Sequence, residues 1–175
     1  MRLLVGVFKG GAPVGSIDLS LCYSVSDVEY EIQQLLGTDD DVSIDDYAFS
    51  CVDADEIAEF VDGGHIGLLM SMVDDGGWDD VLKRMDALLI YCRNSHFDSG
   101  LSWQGFDDSY LGVYDSYLDF FVKHLGTEVG TAWVNELVEA NMATYFDFDR
   151  CFENDYKDSY WSEEDGGKIH VFRNA

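Results

Sequence analysis

Between Lys9 and Lys83 the chain has no basic residue, yet that stretch carries eighteen aspartates and glutamates. Like charge at this density opposes compaction through self-repulsion. Any fold must therefore bury enough apolar surface to outweigh the repulsion while leaving nearly every carboxylate at the surface. The material for that burial is present: 47% of residues are hydrophobic, and eleven Phe, ten Tyr and four Trp are available for packing. Acidic chains stay disordered when apolar side chains are scarce, which is not the case here. A length of 175 residues allows one ordinary domain or two to three very small ones.

The apolar pattern predicts an α+β fold. Arg2 to Phe8 reads as a strand, the Gly10-Gly11-Ala12-Pro13 cluster as a turn, and Gly15 to Leu19 as a second extended segment. Ser26 with Glu29 predicts a capping box for a helix whose apolar face is Val28, Ile32, Leu35 and Leu36, ending at Gly37. Val42 to Val52 reads as extended, with Asp53 capping a short helix that contains Ile57 and Phe60. Residues 1–62 thus form a first α+β module. Ile66, Leu69, Met70 and Val73, then Trp78, Val81, Leu82, Met85, Leu88 and Leu89, fall at helical spacing with paired glycines between them. They define a helical module over 63–105.

Residues 106–175 form a third module, again α+β. It opens with Tyr110, Tyr114, Tyr117, Leu118 and Phe121 at helical spacing, interrupted by Gly126 and Gly130. A second helix runs from Ala132 to Tyr145, Asp147 to Tyr160 continues as helix or turn, and Lys168 to Phe172 closes as a strand. No Pro/Ser-rich linker separates the modules, so they abut.

The motifs of common catalytic chemistry are missing. There is no nucleophile elbow, no phosphate-cradling loop and no H-E-x-x-H, so neither an enzyme nor a cofactor is expected. Asp39-x-Asp41 and Asp147-x-Asp149 resemble the start of a calcium loop but lack its glycine and its closing glutamate. His65, His96, His124 and His170 have no zinc-like spacing, so no metal site is expected. Cys22, Cys51, Cys92 and Cys151 are far apart and read as reduced core residues. No run reaches the 18 apolar residues of a membrane helix, and the N-terminus does not read as a leader, so a cytoplasmic protein with no membrane partner is expected.

What remains is the charge itself, with 35 acidic residues against 10 basic ones. Duplex DNA carries one negative charge per roughly 1.7 Å of axis, so 35 carboxylates at that density would span on the order of 60 Å. A surface of this kind is repelled by nucleic acid and attracted to basic proteins. The candidate face comprises Asp27, Glu29 and Glu31; Asp39, Asp40, Asp41, Asp45 and Asp46; Asp53, Asp55, Glu56, Glu59 and Asp62; Asp74, Asp75, Asp79 and Asp80; and Asp107, Asp108, Asp115 and Asp119. Halophilic adaptation is one alternative, but it does not account for local sequence patterns; a solvated acidic face on a protein with some other activity is another, and it stays open.

Local patterns exist. Ala143-Thr144-Tyr145-Phe146-Asp147-Phe148-Asp149, followed by His170-Val171-Phe172, resembles the antirestriction protein ArdA family, which carries an A-x-Y-F/I-D-Y-E type segment. Phe8-x-x-Gly11-x-x-x-Gly15 and Ile44-Asp45-Asp46-Tyr47 are similar to that family's N-terminal patterns. Ile17 stands near where the family has Trp, Val138-Glu139 lacks the family's proline, and no Ala-Arg-Asp follows the segment, so the chain resembles a divergent member.

The resemblance implies an elongated, curved homodimer of small abutting modules in a bacterial cell. That dimer would occupy the DNA channel of type I restriction–modification enzymes and compete with DNA. It also implies that Glu136, Glu139, Ala143, Tyr145, Phe146, Asp147, Phe148 and Asp149 contribute to the antirestriction segment and dimer interface. By burial preference alone, Tyr145, Phe146 and Phe148 read as core and the two aspartates as exposed. Other targets remain open: a CRISPR effector, a methyltransferase, a nucleoid protein, or basic proteins in general.

Overall fold

In the strand Leu4–Lys9 (β1), Val5 and Val7 are fully buried, as is Leu3 just ahead of it, while Leu4 and Phe8 are only half-buried. Paired on both sides, β1 is the middle of a three-stranded antiparallel sheet, between Ala12–Asp18 (β2) and Ala48–Asp53 (β3). Pro13, which has no amide to donate, lies on the edge strand β2 at a register shift beside Phe8. The computed structural model describes residues 2–125 and 132–174. Its fold is α+β, with one small sheet near each end of the chain and helices between them. The chain divides into two compact units, Met1–Phe106 and Asp107–Ala175.

In the first unit the helix Val25–Leu36 (α1) buries Val28 and Ile32 and ends at Gly37 in the left-handed conformation, φ 61°. Its cap differs from the expected Ser26/Glu29 box. Ser24 is the cap residue and Asp27 completes the box, two positions earlier. Ser24 has the extended backbone that a cap requires, whereas Ser26 is already inside the helix. Glu29 is thereby released, and its carboxylate accepts from the Ile44 amide at 3.0 Å.

Residues 42–52 are not one extended segment, because a 3₁₀ turn at Ile44–Asp46 precedes β3. Asp53 does not cap a helix; it pairs with Leu4 at the end of β3, and Ala54 precedes the following turn without a side-chain cap. A short helix, Ala58–Asp62 (α2), carries buried Phe60 and Val61. Ile66–Gly76 (α3), Trp78–Lys83 (α4) and Met85–Asn94 (α5) follow, with Ile66, Leu69, Met70, Val73, Trp78, Val81, Met85 and Leu88 buried as the spacing predicts.

These helices belong to the same unit as the first sheet. The Trp78 indole donates to the Cys22 carbonyl at 2.7 Å, and Arg93 pairs with Glu59 through two nitrogens. A Cβ added at Gly76 would stand 2.5 Å from the Trp103 ring, so this position admits only hydrogen. Trp103–Ser109 (α6) spans the division between the units.

The second unit holds the sharpest departure from expectation. The segment Tyr110–Tyr114 is a strand (β4), and helix begins only at Tyr117–Phe120 (α7), capped by Ser116. Aromatic spacing suits a helix there, but pairing with the C-terminal strand overrides it, and Gly112 at φ +132° takes a backbone conformation foreign to helices. After a π-helical turn at Phe121–Leu125 the description resumes at Ala132–Glu139 (α8); Gly126 and Gly130 lie outside the described residues.

Helix α8 does not reach Tyr145. Asn141 at φ +55° breaks it, and Ala143–Tyr145 is a separate 3₁₀ turn. Phe148–Cys151 (α9) and a π turn at Phe152–Tyr156 make 147–159 helix and turn as read from the sequence, and they lead to Tyr160–Asp165 (β5), a strand the sequence reading did not include. Lys168–Arg173 (β6) is the middle strand, giving the order β4-β6-β5. The hairpin β5–β6 turns on Gly166 and Gly167, both at positive φ, as a two-residue turn of this hand demands. Phe120, Phe121, Phe152, Val134 and Val171 form the core of this unit.

Candidate functional site

Residues 1–106 contain twenty carboxylates against five basic side chains, and residues 107–175 contain fifteen against five. None of the carboxylates assigned to the candidate face is buried. Most are exposed; Glu29, Glu31, Glu59 and Asp119 are half-exposed. They separate into two groups by what they touch.

The first group is tied into the fold. Asp27 accepts from the Tyr23 and Ser24 amides at 2.8 and 3.0 Å, and these bonds hold its carboxyl below the usual range. Asp62 accepts from the Cys51 amide at 2.8 Å, satisfying a donor on strand β3. Glu59 is held low by its hydrogen bonds from Arg93. Asp119 is lowered by Lys123 at 2.9 Å, with help from the Asp115 amide, and Asp115 itself pairs with Lys168. Asp107 and Asp108, in α6, also interact with neighbouring groups. Pairing with local donors and cations explains why these side chains persist, whatever else they do.

The second group has no such explanation. Glu31, Asp39, Asp40, Asp41, Asp45, Asp46, Asp53, Asp55, Glu56, Asp74, Asp75, Asp79 and Asp80 form no side-chain hydrogen bond or ion pair among the described residues. Asp74 and Asp75 lie in the last turn of α3, where the partial negative charge of the helix end disfavours carboxylates.

Asp18, absent from the candidate face, is structural. Burial pushes its carboxyl up, but hydrogen bonds from the Leu3 amide and from the hydroxyl and amide of Ser20, together with Arg2, hold it below the usual range. A carboxyl lowered on folding contributes stability above its unfolded value of about 4, and that contribution is lost as pH falls through the folded value. Asp18→Asn should therefore destabilise the protein by about 1–2 kcal/mol at pH 7. The gap between parent and variant should close as thermal unfolding is repeated toward pH 3. A gap independent of pH would assign the role of Asp18 to shape alone.

In the second unit Glu136, Glu139 and Asp149 are exposed, and Ala143 is half-buried. Asp147 caps α9 by accepting from the Arg150 amide at 2.9 Å. Phe148 is buried as expected, against Phe121 and Phe146. Tyr145 and Phe146 are not core residues: Tyr145 is 86% exposed and Phe146 38%. The early end of α8 turns both outward, and with Val138 and Met142 they leave four large apolar side chains exposed within nine residues.

Reactive groups are few. Burial raises the Cys22 and Cys92 thiols to about 12, which removes their nucleophilicity near neutrality. His170 is buried in the second sheet with Nδ1 3.2 Å from the Tyr110 hydroxyl, and the His65 ring stacks on Phe97 at 4.3 Å. Among the described residues no three His, Cys, Asp or Glu side chains are grouped to hold a metal ion, and no helix is long and apolar enough to cross a membrane.

Sequence reasoning found the acidity but missed which carboxylates are engaged, and it missed the exposed Tyr23 and Tyr30 among them. The Ser24-x-x-Asp27 spacing was the one available clue that Asp27 was committed. No family model, curated protein or solved structure matches the chain.

Proposed function

We propose that this protein is an antirestriction DNA mimic, a divergent relative of the ArdA family that competes with DNA for the channel of type I restriction–modification enzymes. The observation that carries the proposal is the set of solvent-accessible carboxylates between Glu31 and Asp80 which, Glu59 and Asp62 apart, form no side-chain hydrogen bond or ion pair among the described residues. A channel built to neutralise phosphates recognises backbone charge rather than base edges, so a protein presenting fixed carboxylates can enter it without imitating any sequence. Fixed charges also spare the partner the bending of DNA, worth about 1–6 kcal/mol in elastic estimates.

The exposed Val138, Met142, Tyr145 and Phe146 support the second half of the proposal, a homodimer joined through this segment. A second copy would cover apolar surface that a monomer leaves in water. Pairing two chains would bring the formal charge from -25 to about -50, a length of charge on the order of 85 Å at duplex density.

The test is a titration into a type I methyltransferase complex bound to labelled DNA, at two salt concentrations. Stoichiometric release of DNA, weaker at the higher salt, is the expected result. Failure of the folded protein to release DNA would rule out this target.

A further inference from the structure

One concave site in the first unit sets an exposed tyrosine beside two carboxylates that have no partner among the described residues. Tyr23 precedes the cap of α1 and is 57% exposed. The bond from the Trp78 indole to the Cys22 carbonyl holds the start of α4 against the start of α1. Between them lies a pocket of about 450 Å³ lined by Tyr23, Gly76, Gly77, Trp78, Asp79 and Asp80. Gly77, at φ +75°, provides the sharp turn between α3 and α4, and with Gly76 it leaves this wall without side-chain bulk. Asp27 is anchored next to Tyr23 by its bond from the Tyr23 amide.

We infer that this pocket receives an arginine side chain of a partner protein. A guanidinium is planar and weakly hydrated, stacks on an aromatic face, and offers a fork of donors to carboxylates. Tyr23 supplies the face, and Asp79 and Asp80 supply carboxylates that form no internal hydrogen bond or ion pair among the described residues. Lys83 and Arg84 follow at the end of the same helix, but no ion pair joins either to Asp79 or Asp80 among the described residues, and the Arg84 guanidinium lies over the Trp103 and Phe106 rings. A lysine ammonium, a strongly hydrated point charge, would gain Coulomb attraction but little from the ring. An anionic ligand is repelled.

The inference rests on the reading of the acidic surface as a site for basic proteins. It adds that one position there distinguishes arginine from lysine, which simple charge imitation does not.

Binding of labelled arginine and lysine peptides of equal length, to the full chain at one salt concentration, tests it. Tyr23→Ala should lower the arginine-to-lysine affinity ratio about two- to fivefold, the size of an exposed cation–π contact, with lysine binding unchanged. Tyr23→Phe, which keeps the ring, should preserve the ratio. Tyr30→Ala removes an equally exposed tyrosine outside the pocket and should leave the ratio unchanged. If Tyr23→Ala unfolds the unit, the Asp79→Asn/Asp80→Asn variant should lower the ratio in its place.

A ratio indifferent to Tyr23, or equally sensitive to Tyr30, overturns the assignment. DNA release together with an arginine-to-lysine ratio indifferent to Tyr23 would remove the pocket and leave the mimic. A Tyr23-dependent arginine preference without DNA release would remove the type I target and leave the pocket.

Discussion

Phe120→Ala should destabilise the second unit by about 3–5 kcal/mol, enough to unfold a unit this small at ambient temperature. Phe120 is fully buried, and its ring meets those of Tyr114, Phe121, Phe152 and Tyr160 within 5.2 to 5.7 Å. Those neighbours come from β4, the π turns after α7 and α9, and β5, so one deletion loosens most of the unit's elements together. The surrounding rings are large and interlocked, which limits their collapse into the space and places the effect toward the upper end of the range. Urea unfolding followed by amide NMR should show the resonances of β4–β6 lost while those of β1–β3 persist. A loss below about 1 kcal/mol would mean that the aromatic cluster is not the core of that unit.

The second large effect concerns binding. Converting Asp39, Asp40, Asp41, Asp45, Asp46, Asp53, Asp55 and Glu56 to their amides should leave folding intact or improve it, since none holds another group in place and their mutual repulsion disappears. The complex with a basic partner should behave in the opposite way. For protein–DNA contacts, six to ten neutralised charges correspond to a loss of about 10³–10⁵ in affinity between 50 and 200 mM salt. A mimic using the same channel should show a slope of that order, and the amide variant should lose most of it. Single changes such as Asp40→Asn should do little, because each charge is one of many and is screened. A variant that kept the full salt slope would place the contact surface elsewhere. A single substitution that abolished binding in an intact protein would show the energy to be focused rather than spread.

These two predictions fall on opposite sides of what could be read from the chain. β1, the helices at 66–76 and 78–94, and the stop at Gly37 were legible because their signals are local: a strand alternates every two residues, a helix repeats within one turn, and glycine acts through its own φ. The error at the cap of α1 was one of two residues, within the usual imprecision of a helix end. Tyr110–Tyr114 was misread for a different reason. Its aromatic spacing fits a helix, and its strand partner, Tyr110 beside Phe172, lies at the far end of the module.

The candidate surface divides in the same manner. The sign of the charge, its concentration between Lys9 and Lys83 and the want of catalytic motifs are properties of composition and order, and the sequence alone determined them. Which carboxylates are committed was decided by tertiary structure: Asp62 meets the Cys51 amide, Glu59 meets Arg93, and Asp115 meets Lys168. The exposure of Tyr145 and the pocket between Tyr23 and Asp80 were decided there as well. The physical reason is range. A residue's charge is intrinsic to its side chain, but its solvation and its partners depend on groups brought beside it from distant parts of the chain, and no local pattern encodes that meeting.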